Sequence, residues 1–297
     1  MLMALLIPII LATAVFSFVL VKAAIKQKAT PTAETLLLGV VVNFFDTLGI
    51  GSFAPTTAWL KFRKLVPDRL IPPTIVVGLT IGAVVESIIF LLQLGVKVDP
   101  LLLVGSIVAC TTGGLIGASL VHRTRVWIVQ LIVAVGLVLA AVAYGMQNLD
   151  LFPGGGTASF LPPALTVLAI TANFVFGILL NYGVGNYAPT LVILSLMGMN
   201  PRLCFPIMAG AAALMGATAG IRHINTGQLD VRVVLGLTIG GIPAVLVAAY
   251  IVVTMPLTIL RWMVFVVVIY AAAIMLQAAL RGHREHKAEG GTIPLPG

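Results

Sequence analysis

The sequence predicts an all-α polytopic membrane protein arranged as an inverted repeat. Each repeat combines one re-entrant helical hairpin with three transmembrane helices, and an extra N-terminal helix precedes the first repeat. Three observations predict this fold. The 297 residues are 60% hydrophobic and only 9% charged, whereas a soluble chain carries about 25% charged residues. Two glycine- and proline-containing breaks recur at a constant spacing, and Lys and Arg fall largely on one side of the resulting topology.

This composition excludes a soluble enzyme, because each helical crossing uses about 20 residues and almost every stretch of the chain is apolar. The net charge of +8 first sets orientation in a membrane protein, so the expected partner is the lipid bilayer and not nucleic acid. Catalytic motifs and metal-ligand spacings are missing from the apolar stretches. We therefore expect no enzymatic activity, no metal and no cofactor, and we expect Cys110 and Cys204 to be core residues.

Nine apolar stretches follow one another along the chain, and we interpret them as helices because lipid-exposed backbone must satisfy its own hydrogen bonds. The first stretch contains no Lys or Arg and is followed by Lys22, Lys26 and Lys28. This pattern predicts an uncleaved anchor helix with its N-terminus outside. The stretches cover residues 1–21, 35–60, 71–96, 100–121, 126–149, 151–201, 203–221, 233–260 and 262–280.

The stretch 151–201 is the informative anomaly, because its 51 residues carry no charge and are too many for one crossing. Glycines and a proline between Asn181 and Pro189 should end one helix and begin another. A similar break lies between Thr47 and Pro55 in the stretch 35–60. A helix, a break and a second helix that returns to its starting side would use the available length.

The two breaks are copies of one another. Residues 49–83 align without gaps on 183–217, and ten of the 35 positions are identical, where biased composition would give roughly three or four. The chain is therefore predicted to be an internal duplication. Its parts are an N-terminal helix and basic linker in 1–33, a first repeat in 34–149, a second, inverted repeat in 150–281 and a cytoplasmic tail in 282–297.

Charge counting distinguishes the possible topologies. Nine single crossings would divide the 17 Lys and Arg residues nine to eight, whereas hairpins over 35–66 and 164–200 divide them fourteen to three. Only Lys97, Arg202 and Arg261 then lie outside. Because each repeat now has an odd number of crossings, the second copy is inverted, as in secondary transporters. We expect a multi-pass plasma-membrane protein with an external N-terminus and a cytoplasmic C-terminus.

Each hairpin tip is a candidate anion site. Ser52 and Asn186 suit the N-cap of the returning half-helix, and Pro55 and Pro189 suit its first turn. Free N–H groups and the positive end of a helix dipole bind an anion without any arginine. The alternative is that these residues only permit close packing or kinks. The candidate substrate-binding residues are Gly49, Gly51, Ser52, Pro55, Thr56, Asn181, Tyr182, Gly183, Gly185, Asn186, Pro189 and Thr190.

Two carboxylates, Asp46 and Glu86, lie within predicted spans, where a charge is costly unless it is paired, hydrated or protonated. Either could couple anion movement to the proton gradient, or could be hydrogen-bonded to helix ends for structure. Neither has an acidic counterpart 134 residues later, where Leu180 and Gly220 stand. Any coupling would therefore be asymmetric.

Other polar groups surround the second break. Asn173, Tyr182 and Tyr187 could donate hydrogen bonds to an anion, although tyrosines also mark membrane interfaces. Phe53 aligns with Tyr187 and is expected to pack or to act as a gate. The four histidines fall in predicted cytoplasmic loops or in the tail, where we expect them to be solvated.

The paired motif resembles the TauE/SafE sulfite exporter family over roughly residues 34–280. Each copy has Gly-x-Gly followed by Ala-Pro, with further prolines about 12 and 17 residues on. The resemblance implies a secondary active transporter that exports sulfite or organosulfonates by alternating access, with the glycine-rich signature on Gly49, Gly51 and Pro55 and on Gly183, Gly185 and Pro189. Ser52 and Asn186 stand where the family often has further glycines. A passive anion channel, uptake of another small organic anion and a homodimeric assembly are alternatives that stay open.

The hairpin topology predicts which loops are accessible from each side. Cysteines introduced at Lys64 and Arg123 should react with a membrane-impermeant thiol reagent only from the cytoplasm. Cysteines introduced at Lys97 and Arg202 should react only from outside, because an odd number of crossings separates the two pairs. Labelling of Lys64 and Arg123 from opposite faces would contradict the hairpin topology.

Overall fold

The computed structural model describes residues 2–67, 70–120, 126–149, 156–180, 185–227 and 229–288. Within these ranges the chain forms eleven α-helices, a short 3-10 turn at Gly95–Lys97 and one isolated β-bridge. The helices are α1 Leu2–Gln27, α2 Ala33–Thr47, α3 Phe53–Phe62, α4 Ile71–Gln93, α5 Pro100–Leu120, α6 Val126–Asn148, α7 Pro163–Leu180, α8 Tyr187–Leu196, α9 Pro201–Thr226, α10 Val231–Thr254 and α11 Leu257–Ala288.

Seven of the described helices are long and apolar enough to cross a membrane. The all-helical, multi-pass class predicted from composition is thereby confirmed. Shorter apolar helical segments occur at Trp127–Leu139 in α6 and at Tyr187–Leu196 in α8. The seven candidate spans are Leu5–Gln27, Ile71–Gln93, Pro100–Gly117, Pro163–Leu180, Pro201–Thr226, Val231–Thr254 and Leu257–Glu285.

Several helix ends differ from the apolar boundaries. The last two helices meet at Met255 and Pro256 rather than at Arg261, because proline lacks an N–H group and is favoured at a helix start. Arg261 lies inside α11 and donates a hydrogen bond from Nη2 to the Gly156 carbonyl, 3.2 Å away. Helix α11 also continues to Ala288, beyond the predicted start of the tail.

The first break joins two helices that form an antiparallel pair. Glu34, in the first turn of α2, accepts hydrogen bonds from Trp59 Nε1 at 3.1 Å and from Arg63 Nε at 2.8 Å, at the end of α3. The bond from Arg63 lowers the pKa of Glu34 below its ordinary value, which favours the ionised pair. The chain therefore comes back, at Arg63, beside the point where α2 began.

The second break also joins two neighbouring helices, but different hydrogen bonds connect their outer ends. The backbone of Ala158, before α7, donates to the Gly198 carbonyl at 3.2 Å and accepts from the Asn200 N–H at 2.9 Å, after α8. Thr190 of α8 donates its hydroxyl to Asn173 Oδ1 of α7 at 3.1 Å. Helices α3 and α8 begin and end at positions that are 134 residues apart, the offset of the sequence duplication.

The helices pair in a pattern with internal symmetry. Helix α2 packs against α10, α7 packs against α5, α4 packs against α9, and α6 packs against α11. Helices α2 to α6 can be matched in order with α7 to α11. This matching turns the α2–α10 pair into the α7–α5 pair, and it leaves the α4–α9 and α6–α11 pairs unchanged. Helices α4 and α9 lie at the centre, where the rings of Phe90 and Phe205 meet edge to face at 5.1 Å.

Glycines bring the outer helix pairs into backbone contact. A Cβ atom at Gly240 of α10 would collide with the Leu36 carbonyl of α2, and one at Gly113 of α5 would collide with the Phe174 carbonyl of α7. Small residues of this kind allow membrane helices to pack closely when the hydrophobic effect between them is weak. The α2–α10 interface and the α5–α7 interface therefore both depend on glycines that allow close backbone contact.

Gly240→Ala should destabilise the protein by about 1–3 kcal/mol, because the neighbour is a carbonyl of the facing backbone rather than a flexible side chain. This loss should appear although alanine favours a helix over glycine by about 1 kcal/mol. The measurement is thermal unfolding of the purified protein in detergent. Gly136→Ala in α6 is the matched control, since nothing lies within 4 Å of its added Cβ, and it should be neutral or stabilising. Equal stability of both variants would contradict the close packing.

Candidate functional site

The tips of the two helical pairs border a single cavity, with a volume of about 100 Å³. One water molecule needs only about 10–15 Å³ of such cavity volume, so a small polyatomic anion fits. Its walls come from both tips and from α4, α6, α9 and α11. The lining residues include Asp46, Gly51, Ser52, Phe53, Thr80, Gly185, Asn186, Tyr187, Pro189, Met215 and Tyr270.

Two glycines shape the first tip. Gly49 has φ of 90° and Gly51 has φ of 86°, in the left-handed region that favours glycine. The Gly49 N–H donates to the Asp46 carbonyl at 2.7 Å, and the Ile50 N–H donates to the Phe45 carbonyl at 3.1 Å. These bonds satisfy carbonyls at the end of α2, so the chain can reverse into α3 over a few residues.

The second tip is anchored to the central helix α9. Asn186 Nδ2 donates to the Met208 carbonyl at 3.3 Å, and Asn186 is almost fully buried. The predicted site residues Asn181, Tyr182 and Gly183 lie outside the described residues. Gly185 borders the cavity, and a Cβ atom built on it meets nothing within 4 Å.

Ser52 and Asn186 occupy the predicted N-cap positions of α3 and α8, but neither side chain makes a capping hydrogen bond. Both residues have helical rather than extended backbone angles, which turns the side chain away from the first-turn N–H groups. Ser52 instead approaches the Asp46 carboxyl with its hydroxyl and its backbone N–H. The first turns of both helices, at Phe53 and Tyr187, therefore border the cavity without a side-chain cap.

Two carboxyl groups and the Tyr187 phenol gather at the cavity. Asp46 is half-buried and lines the cavity, whereas Glu86 of α4 is 1% exposed and stands behind the wall. Tyr187 is 4% exposed, lines the cavity and lies with its hydroxyl against the Glu86 carboxyl. Neither Glu86 Oε1 nor the Tyr187 hydroxyl makes a hydrogen bond with the described part of the chain.

The electrostatics of the cavity are set by these acids. The described residues of its wall include no Lys, Arg or His. Because charges interact strongly where water is scarce, the protonation of these three groups decides the potential that an entering ligand meets.

The predicted site residues separate into two groups. Asp46, Gly51, Ser52, Gly185, Asn186 and Pro189 line the cavity, whereas Gly49, Pro55, Thr56, Thr190 and Glu86 do not. The threonine hydroxyls are used within the tips, since Thr56 donates to the Ser52 carbonyl at 2.6 Å and Thr190 donates to Asn173 Oδ1. These threonines lock the half-helices in place.

Two buried asparagines hold helices together. Asn43 Nδ2 donates to the Gly39 carbonyl at 2.8 Å and to the Leu237 carbonyl of α10 at 3.3 Å. Asn173 donates to the Ala169 carbonyl at 2.9 Å and accepts from Thr190. Neither asparagine belongs to the cavity wall.

Sequence reasoning missed two polar cavity residues, Tyr270 of α11 and Thr80 of α4. Tyr270 carried a usable signal, because a tyrosine in the middle of the apolar stretch 262–280 is far from the interfaces where this residue is usual. Thr80 carried none. Its hydroxyl bonds the Val76 carbonyl at 2.7 Å, a common arrangement for threonine within a helix.

The expectation that the histidines are solvated needs correction only for His223, because His283 is exposed as expected. His223 lies in the last turn of α9 and is partly buried, and His283 lies in α11 with its ring centroid 4.6 Å from that of Trp127. Both helices extend further than the apolar stretches that were used to place their ends. His122 lies outside the described residues. Among the residues that the structure does describe, no group of His, Cys, Asp and Glu side chains could hold a metal ion.

The cysteine expectation is confirmed. Cys110 and Cys204 are both free and buried, and each packs in the main apolar core.

Comparison with known proteins adds no relative. No family model matches the chain, and neither a curated protein nor a solved structure matches it. The resemblance to the sulfite exporter family therefore depends on the duplicated motif alone.

Gly185→Leu should abolish ligand binding while the protein stays folded, because the new side chain would enter the open space at the second tip. Gly185 is better suited to this substitution than Gly51, because the left-handed backbone at Gly51 would be strained with any other residue. Binding is measured by the ligand-induced rise in unfolding temperature across sulfite, thiosulfate, sulfoacetate and taurine. Gly136→Leu, in open space on α6, is the control and should bind as wild type does. Wild-type binding by Gly185→Leu would exclude this tip as a ligand site.

Proposed function

We propose that this protein is a secondary active transporter that moves small sulfur-containing anions, of the sulfite and organosulfonate class, across the plasma membrane. The observation that carries this proposal is the single cavity bordered by both sequence breaks, at Gly51 and Ser52 and at Gly185 and Asn186. Two copies of one motif that meet at one cavity are expected of a binding site at a repeat interface.

The chemistry of the tips supports an anion as the ligand. The first N–H groups of a helix have no partner within it, and the helix dipole places partial positive charge at the same end. Helices α3 and α8 both begin at the cavity wall, and neither has a side-chain cap. Backbone N–H groups can hold an oxyanion in such a place without a basic side chain.

An inverted pair of repeats supports movement as well as binding. The sequence offset of 134 residues, the exchange of helix pairs between the two halves and the return of each hairpin beside its own start favour a two-fold relation in the membrane plane. In this proposal the two hairpins are re-entrant, the N-terminus is outside and the C-terminus is cytoplasmic. Rocking of one repeat against the other would then expose the cavity to each side in turn.

The substrate class and the direction come from the motif. Gly-x-Gly followed by Ala-Pro in both breaks resembles the sulfite exporter family, which favours sulfur oxyanions and export. The cavity volume of about 100 Å³ suits an anion of a few heavy atoms. Asp46, which lines the cavity, and Glu86, which is buried near it, support coupling to protons, because carboxylates inside a membrane protein are common in proton-coupled carriers.

Transport in proteoliposomes tests the proposal. Purified protein should accumulate a labelled sulfonate against its gradient when a pH difference is imposed, and Gly185→Leu should not. Flux that only dissipates the anion gradient, and that ignores the pH difference, would instead support a passive anion conduit. Failure to move any of sulfite, thiosulfate, sulfoacetate and taurine would overturn the substrate assignment.

Asp46→Asn and Glu86→Gln should separate coupling from translocation. Combined in one protein, the two substitutions should keep anion counterflow, since the cavity remains, but should abolish pH-driven accumulation, because neutral amides can neither bind nor release the coupling proton. Both activities are compared at equal amounts of folded protein. Should the double variant keep gradient-driven accumulation, proton coupling through these two residues is excluded.

A further inference from the structure

The cavity presents an electrostatic conflict. It is proposed to bind an anion, yet the described wall carries no basic side chain, it includes Asp46 and Tyr187, and the buried carboxyl group of Glu86 lies close to it. An anion beside two ionised carboxylates in a water-poor site would be strongly repelled. Dipoles at helix starts amount to about half a charge each and do not offset two full negative charges at similar range.

Asp46, Glu86 and Tyr187 are close enough to behave as one group. They come from α2, α4 and α8 respectively, and Glu86 lies about one helical turn beyond Ala83, which lines the same cavity as Asp46 and Tyr187. Asp46 and Tyr187 line the cavity, whereas Glu86 lies behind them at 1% exposure. The carboxyl oxygen Glu86 Oε1 and the Tyr187 hydroxyl, both buried, lack hydrogen-bond partners among the described residues. A proton bound to one of the carboxyl groups would turn that group into a hydrogen-bond donor and could satisfy one of these atoms.

We propose that Asp46, Glu86 and Tyr187 form a single proton-binding site that takes up one proton when an anion enters the cavity beside it. This inference rests on the proposed anion transport and specifies its coupling. The entering negative charge favours the neutral form of the neighbouring carboxyl pair, and the bound proton removes the repulsion that would expel the anion. Because the two effects are the same interaction free energy, each ligand strengthens the binding of the other.

The direction of coupling follows from this linkage. Anion and proton occupy the site together and are released together, so they move in the same direction. An inward proton gradient therefore drives uptake, and export occurs where the outward gradient of the anion exceeds it. A monovalent anion then crosses with no net charge, and the membrane potential does not drive it. The proton belongs to the carboxyl pair as a whole, because two interacting acids titrate as one system.

Tyr187 is a positioning residue in this site. It is the first residue of α8, so an anion held at the start of that helix lies beside it, and its hydroxyl lies against Glu86 on the other side. Removal of the hydroxyl should therefore change the pH at which the proton is taken up, while the number of protons stays the same.

Proton uptake on ligand binding is the direct test. Methanesulfonate, which stays ionised at the pH values used, is added to the purified full-length protein in a weakly buffered, sodium-free potassium solution that contains a pH indicator dye. Wild type should take up about one proton for each anion bound, and methanesulfonate should bind about tenfold more tightly for each unit of pH decrease over that range.

The variants assign the proton to the cluster. Asp46→Asn/Glu86→Gln together should abolish proton uptake and make binding independent of pH. Each single substitution, and Tyr187→Phe, should move the midpoint of the pH profile, because each group sets the field of the others. Glu285→Gln, at an exposed position on α11, is the matched control and should match wild type.

The outcomes separate this inference from the transport proposal. Binding of methanesulfonate to wild type without proton uptake, or binding that requires Na⁺ instead of a lower pH, would overturn the shared proton site and leave anion transport standing. A pH profile unchanged by Glu86→Gln would remove Glu86 from the site and overturn the three-residue cluster. If neither methanesulfonate nor any sulfur oxyanion binds to or is moved by folded wild type, both proposals fail. The wild-type measurement decides the sign of coupling even if the double variant does not fold.

Discussion

Backbone that leaves a helix inside an apolar environment must be shielded from lipid, and this constraint organises the molecule. Both breaks expose N–H and C=O groups that no regular helix satisfies, so they can exist only where protein encloses them. The enclosing wall comes from α4, α6, α9 and α11. The glycine contacts of Gly240 and Gly113 hold the hairpin helices α2 and α7 against α10 and α5, and thereby keep both tips at the centre.

The polar groups of the centre follow from the same constraint. Asparagines and threonines within the hairpins form hydrogen bonds with nearby backbone or with each other. Asn43 and Thr56, for example, donate to backbone carbonyls. Asp46 and Ser52 meet at the first tip, and Glu86 and Tyr187 meet behind the second. Among the described residues of this centre, Glu86 Oε1 and the Tyr187 hydroxyl have no hydrogen-bond partner, and the cavity wall carries no basic side chain. The proposed anion transport therefore calls for a cation as co-ligand, and a proton is the smallest one available.

Much of this arrangement could be predicted from the chain alone. Hydropathy identified a helical membrane protein, and the repeated Gly-x-Gly and proline spacing located two helix starts, which the structure has at Phe53 and Tyr187. Asp46 and Glu86 stood out because charges are rare in apolar stretches. Helix ends were less predictable: α10 and α11 meet at Pro256 rather than at Arg261, since a proline acts on local backbone geometry whereas hydropathy averages over a window.

The sequence by itself determined the class of protein, the duplication and the residue types at both tips, because these depend on composition, periodicity and local backbone chemistry. Tertiary structure decided which tips share a cavity, and it decided that Glu86 stands behind Tyr187 rather than in the wall. It also turned Ser52 toward Asp46 instead of toward its own helix. These outcomes depend on contacts between helices that are far apart along the chain, and no local pattern encodes the distance or the direction from which a distant side chain arrives.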